Sequence, residues 1–309
     1  MLIKSILSIF LLLFVIFAKG QKTTSAISNE MVFVSDTQAP LWIETLLQKP
    51  GNNRFATKKI FNDISDRKPA VVYILGDVVS LGYSNKNWKP MDVYLDSLRN
   101  KGIMVHAALG NHEVLLFAKK GQKNFQQRFP DHIKTGYIHT LDSVAVVLLN
   151  SNFNKLGSEE NTTQIEWYRQ TLEKLDADPS ILFIITGCHH SPYSNSKVAH
   201  SSKPVQQKFV TSFLLSKKSR LFLSGHAHGF EHFRQQGKDF FVIGGGGGLH
   251  QPLKKGKHAL ADLSANYKPL FHYLSIHRHA DTLQVTSVFL KPDFTGFKEG
   301  EKQSIIYFP

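Results

Sequence analysis

The sequence predicts an α/β fold. Short apolar runs rich in Val, Ile and Phe recur along the chain, amphipathic helical stretches lie between them, and nearly every run stops at a glycine or a polar cluster. The runs cover 31–34, 71–75, 103–109, 144–149, 181–186, 221–223 and 240–243, and their length suits strands buried on both faces. Helices are expected over 54–65, 91–100, 163–175 and 206–215. In the third of these, Ile165, Tyr168, Leu172 and Leu175 fall at helical spacing behind Asn161 or Thr162 as cap. The tail changes character. Residues 271–279 and 282–290 read as a hairpin turning at Ala280-Asp281, and 304–308 as a last strand.

Composition narrows the function classes. With 42% hydrophobic and 20% charged residues, the 309-residue chain can bury a core, which excludes a disordered protein. A single cysteine, Cys188, excludes an intramolecular disulfide framework and any cysteine-rich zinc or iron–sulfur site. Residues 1–20 read as a signal peptide: Lys4 is positive, 6–17 is apolar except for Ser8, and Ala18-Lys19-Gly20 precedes a cut before Gln21. A dozen apolar residues fall short of the ~20 that span a bilayer. No linker divides 21–309, so a single domain is expected, exported to the periplasm or secreted. The net charge of +13 becomes +11 without Lys4 and Lys19. It favours anionic partners, but the lysines are scattered as pairs without an aromatic-interleaved stripe. Charge alone does not choose among phosphate esters, nucleic acid and acidic surfaces; a solvated basic surface is expected, with no membrane contact after cleavage.

Chemistry concentrates at the ends of the predicted strands. The first runs into Ser35-Asp36-Thr37-Gln38, the second into Gly76-Asp77 and the third into Gly110-Asn111-His112-Glu113. The run at 181–186 leads to Gly187-Cys188-His189-His190-Ser191-Pro192, and that at 221–223 to Gly225-His226-Ala227-His228. Ligands of open α/β sheets bind at the carboxyl ends of strands. Five such ends thus deliver carboxylates, an amide and imidazoles to one rim, a donor set suited to Zn, Mn or Fe. The glycine run 244–248 has two readings, a backbone anion cradle or close packing beside these loops. Cys188 reads as a small buried residue, and Asn161-Thr162-Thr163 is a glycosylation sequon.

These blocks, in this order, resemble the calcineurin-like metallophosphoesterases over residues 31–250. His190-Ser191-Pro192-Tyr193 and the stretch from Gly225 to Phe233 resemble the purple acid phosphatase branch. The resemblance implies a four-layer α/β/β/α sandwich with two divalent or mixed-valence metal ions (Mn, Zn or Fe). It implies Asp36, Asp77 and His228 at one metal, with Gln38 as fourth ligand, and Asp77, Asn111, His190 and His226 at the other. His190 is selected over His189 by the family's H-x-P spacing, leaving His189 to packing. His112 is similar to the family histidine that protonates the leaving group or steadies phosphoryl oxygens, and Glu113 would orient it. His200 matches a substrate-facing histidine of some acid phosphatases.

Two departures stand out. Gln38 replaces the histidine of many relatives, and Ser80 stands where purple acid phosphatases carry their tyrosine ligand, so a colourless enzyme is expected. The activity that the resemblance implies is hydrolysis of phosphate esters, monoesters favoured, by metal-activated water, with a small phosphorylated substrate as partner and no specific nucleic acid. The alternatives are a phosphodiesterase, a nucleotide phosphohydrolase, or a non-catalytic metal- or phosphate-binding protein.

Overall fold

The computed structural model describes residues 28–47 and 51–307, so the expected signal peptide lies outside the described residues. Among the described residues, twelve strands form two six-stranded sheets. The first holds β1 (Met31–Val34), β2 (Val71–Ile74) and β3 (Met104–Ala107) in parallel, extended antiparallel by β10 (His272–His279), β11 (Thr282–Leu290) and β12 (Phe297–Ile306). The second has a parallel centre, β5 (Val144–Leu149), β6 (Phe183–Cys188), β7 (Ser219–Ser224) and β9 (Lys238–Ile243). Antiparallel edges β4 (Tyr137–Leu141) and β8 (Phe230–Gln235) flank it.

Strand alternation explains the layering. In β1, Met31 and Phe33 face the second sheet, in a core with Tyr73, Val146, Ile185 and Leu223. Val32 and Val34 face outward into a second core. That core is covered by α2 (Asn53–Arg67), α3 (Asn85–Asn100) and α4 (Ala118–Arg128), which follow the short α1 (Glu44–Leu47). On the far side, Ala145, Val147 and Ile184 pack against Tyr168 and Leu172 of α5 (Ser158–Ala177) and against Phe209 and Phe213 of the helical segment 203–215. Each central strand thus feeds two cores, which is why its sequence is apolar without alternation. The result is the expected helix–sheet–sheet–helix sandwich. Among the described residues, no helix is long and apolar enough to cross a membrane.

Among the elements not expected from the sequence are α1, α4, β4 and β8. β4 and β8 are edge strands. β4 alternates buried Tyr137 with exposed Ile138, and β8 buries the polar pair Glu231 and His232. α4 carries Phe125 as its only fully buried large side chain, so it has no apolar stripe. The α5 cap also differs. The helix starts at Ser158, and the Glu160 carboxylate accepts the Gly157 N–H at 2.8 Å, while Asn161 lies within the first turn. The tail hairpin turns at Ala280-Asp281 as expected, with His279 opposite Thr282.

Candidate metal centre

The parallel register aligns the carboxyl ends of β1, β2 and β3 in one sheet and of β6 and β7 in the other. Beyond the strands, the β1–β2 ladder continues into the loops. Asp36 N–H donates to the Gly76 carbonyl and Gln38 N–H to the Asp77 carbonyl, both at 3.1 Å. Asp36, Asp77 and His226 hold positive φ of 59°, 50° and 66°. Such backbone costs about 1–3 kcal/mol per residue and persists where surrounding bonds over-determine it. At Gly110 the approach is so close that a Cβ would meet the Asp77 Oδ1 at 2.2 Å.

Asp36 and Asp77 are both fully buried. Asp77 Oδ1 accepts the His112 N–H at 2.8 Å, and its Oδ2 lies 3.1 Å from His189 Nε2. Asp36 accepts the His226 N–H at 2.9 Å and lies 3.3 Å from His228 Nε2. Three imidazoles are aimed in one way: a backbone carbonyl takes Nδ1 and leaves Nε2 pointing inward. Leu75 does this for His189 at 3.0 Å, Leu249 for His228 at 2.7 Å, and Ser80 for His112 at 2.8 Å.

Two donor groups result. Asp36, Asp77 and His228 form one, and Asp77, His189 and His226 the other, with all ligand atoms of a group within 4.8 Å of one another. Asp77 belongs to both. Gln38 reaches the first group, its Nε2 3.4 Å from His228 Nε2, while its buried Oε1 has no partner. An orphaned amide oxygen beside two buried carboxylates and an imidazole nitrogen is the environment that a cation satisfies. The residues present therefore fit a bound metal ion, and Asp77 is common to both donor groups.

The charges reflect this crowding. Burial works against an ionised Asp36, yet His228 and His189 hold it below the usual carboxylate range; Asp77 is held well below that range too, chiefly by His189 and His112. Burial likewise opposes a charged His189, but Asp77 and Asp36 push it up to about 9. Burial and the His189 charge take His190 down to about 3.

Several sequence-predicted residues sit differently from expectation. His189 does not turn away into packing. It is fully buried, and Nε2 also stands 2.9 Å from Asn111 Oδ1. His190 meets it edge-on, with ring centroids 5.0 Å apart, and lies 4.5 Å from the His226 ring, with Nδ1 on Ser151 Oγ at 2.8 Å. Glu113 does not orient His112. Its carboxylate accepts the N–H groups of Asp77 and Gly110 at 2.9 Å and of Val79 at 3.1 Å, clamping the β2 and β3 loops together. Burial and Asp77 raise its pKa to about 7. Ser80 supplies the orientation of His112 through its carbonyl. His200 is exposed, and its Nδ1 meets the Ser196 carbonyl of its own loop at 3.1 Å.

Of the two readings of the glycine run, close packing carries the observed contacts. Gly246 N–H donates to Ser35 and Gly248 N–H to Asp36, and a Cβ on Gly248 would stand 2.5 Å from the His228 ring. Sequence reading missed the polar end of β5, where Ser151 holds His190 and Asn152 Nδ2 donates to the Leu109 carbonyl. The signal was present: Asn150-Ser151-Asn152 is a sixth polar cluster at the end of an apolar run.

Comparison with known proteins agrees with this architecture. A purple acid phosphatase from yellow lupin (Lupinus luteus) superposes with a TM-score of 0.65 at 16% identity, covering 90% of this chain and 53% of its own, so this chain spans about half the lupin enzyme's length. The anchor protein of the inner membrane complex of Plasmodium gives 0.62 at 13% identity, with 91% and 89% coverage. A dimetal phosphatase from Danio rerio gives 0.52 at 14%, with 91% and 99%. At these identities the likeness is one of fold. The family model for calcineurin-like phosphoesterases matches residues 31–230, well over half of the sequence, and this chain belongs to that family.

Proposed function

We propose that this protein is an exported dinuclear-metal phosphoesterase acting on small phosphate monoesters. The observation that carries the reading is Asp77, a fully buried carboxylate common to two donor groups, with His112 beside it. Asp36, Asp77, His228 and Gln38 would hold one metal; Asp77, Asn111, His226 and one of His189 and His190 would hold the other. Bound there, two such cations supply Lewis acidity toward a phosphoryl group and toward water.

The chain's own residues do the rest. Hydrolysis forms one bond from water oxygen to phosphorus and breaks the bond from phosphorus to the ester oxygen, which needs a proton as it leaves. His112 Nδ1 is committed to Ser80, so Nε2, 3.8 Å from Asp77 Oδ2, is the atom that can carry and deliver that proton. Burial opposes a charged His112, but Asp77, the Ser80 carbonyl and Glu44 hold its pKa above the ordinary histidine value. Export rests on the sequence of residues 1–20.

The test is turnover of para-nitrophenyl phosphate against bis-para-nitrophenyl phosphate with Mn, Zn and Fe supplied in turn. Monoester turnover with at least one metal is expected. A faster diester rate would replace the monoester assignment, and no turnover of either would overturn the reading. His112→Asn should slow an alkyl phosphate by roughly 10²–10⁴-fold and the aryl ester less, because para-nitrophenolate leaves with little help.

A further inference from the structure

Next to the donor cluster lies a cleft of about 720 Å³ whose wall includes Lys197, His250, Lys254, Lys255 and His258 and no acidic residue. Four lysines of the described residues pair with a carboxylate: Lys101 with Asp66, Lys134 with Glu160, Lys268 with Asp262 and Lys302 with Glu299. Among the described residues, none of the three cleft lysines has a carboxylate partner. Ammonium groups lining one concave surface without a carboxylate among them make a standing positive potential.

The cleft is built, and it is tied to the metal donors. Residues 194–197 and 251–254 run as a strap: Ser196 bridges Leu253, Lys197 N–H donates to Pro252 at 2.8 Å, and Lys254 N–H to Asn195 at 2.7 Å. Buried Glu231 locks one side by accepting Ser194 Oγ and Asn195 N–H, both at 2.8 Å. Gln251 locks the other, its N–H donating to the His228 carbonyl at 3.2 Å and its Nε2 to the His226 carbonyl at 3.3 Å. His250 sits between Gln251 and Leu249, whose carbonyl takes His228 Nδ1. The backbones that carry Lys197 and Lys254 are therefore hydrogen-bonded into the same loops as Gln251, which in turn is bonded to the His226 and His228 carbonyls.

We propose that this cleft is the subsite for the leaving group, and that it selects phosphate esters whose leaving group carries a second phosphoryl group. This rests on the phosphoesterase reading above. The chemistry of the wall selects the ligand. Lysine is a compact point charge suited to a phosphoryl oxyanion, and no arginine is present to grip a planar carboxylate as a fork. No aromatic ring of Phe, Tyr or Trp lines the cleft, so it offers no platform for stacked bases of a nucleic acid.

Two measurements test this. In the first, inorganic pyrophosphate is titrated calorimetrically into the EDTA-treated full chain. Binding is expected, weakening as salt rises and roughly tenfold weaker in K254Q/K255Q, since each exposed charge contact is worth a few-fold. Undiminished binding in the variant, with unchanged melting, overturns the proposal. In the second, the metal-loaded enzyme is given butane-1,4-diol bisphosphate and butyl phosphate. The wild-type preference in kcat/KM for the bisphosphate should collapse toward unity in K254Q/K255Q; an unchanged preference also overturns it. If neither ester is turned over but pyrophosphate binds through the lysines, the phosphoesterase reading and with it the leaving-group role fall, while the anion site itself stands.

Discussion

Replacing Glu113 with alanine should destabilise the protein and empty its metal centre together. The carboxylate is fully buried and accepts three backbone N–H groups, those of Asp77, Gly110 and Val79. A buried donor left without an acceptor costs about 1–3 kcal/mol. Three such donors set a ceiling of about 9 kcal/mol. Two effects lower it: water enters the space left by the side chain, and a buried carboxylate whose pKa is pushed up to about 7 no longer has to be accommodated. A net loss of about 3–5 kcal/mol follows, or a fall in Tm of roughly 10 °C for a chain of this size. Because the same three bonds place Asp77, metal content should fall as well. Thermal melting and metal analysis of purified Glu113→Ala check both. The competing role, orientation of His112, makes the opposite forecast: stability and metal content unchanged, with a loss confined to alkyl phosphate turnover. That outcome would refute the clamp.

Other substitutions follow from the same geometry. His189→Ala should lower metal content, because Nε2 faces both Asp77 and Asn111, whereas His190→Ala should retain it; the reverse result on metal analysis would make His190 the ligand. Gln38→His should be tolerated and shift the activation series toward Zn, imidazole being softer than an amide oxygen, and an unchanged series would remove Gln38 from the donor set. His106 is buried, and burial together with His139 holds its pKa down at about 4. The unfolded chain therefore takes up a proton between about pH 6.5 and 4 that the native chain refuses, so stability is lost as pH falls through that window, by about 3 kcal/mol at most from this residue. His106→Phe, which keeps a ring against Tyr73, should flatten that acid limb in urea unfolding at pH 7 and pH 4.5; equal slopes would refute the assignment.

Much of this molecule was legible from its sequence. The buried strands announce themselves as apolar runs, because a strand feeding two cores has no polar face. The donors Asp36, Asp77, Asn111, His226 and His228 are found because each follows such a run at once, where a parallel sheet presents its ligand-binding rim. Local pattern failed where burial is one-sided or shared with polar groups, as in edge strands β4 and β8, or where a helix such as α4 packs through one side chain, Phe125. Only the tertiary structure separates His189 from His190. They are neighbours, and strand alternation sends one ring each way without saying which. The choice is made by the register of β6, which pairs Cys188 with Leu149 on one side and Ser224 on the other, and by Ser151, which takes the His190 ring. The role of Glu113 is decided in the same way, because its three backbone donors come from two loops that meet only when β2 and β3 lie side by side. Non-local pairing sets both outcomes, and no short stretch of sequence contains it.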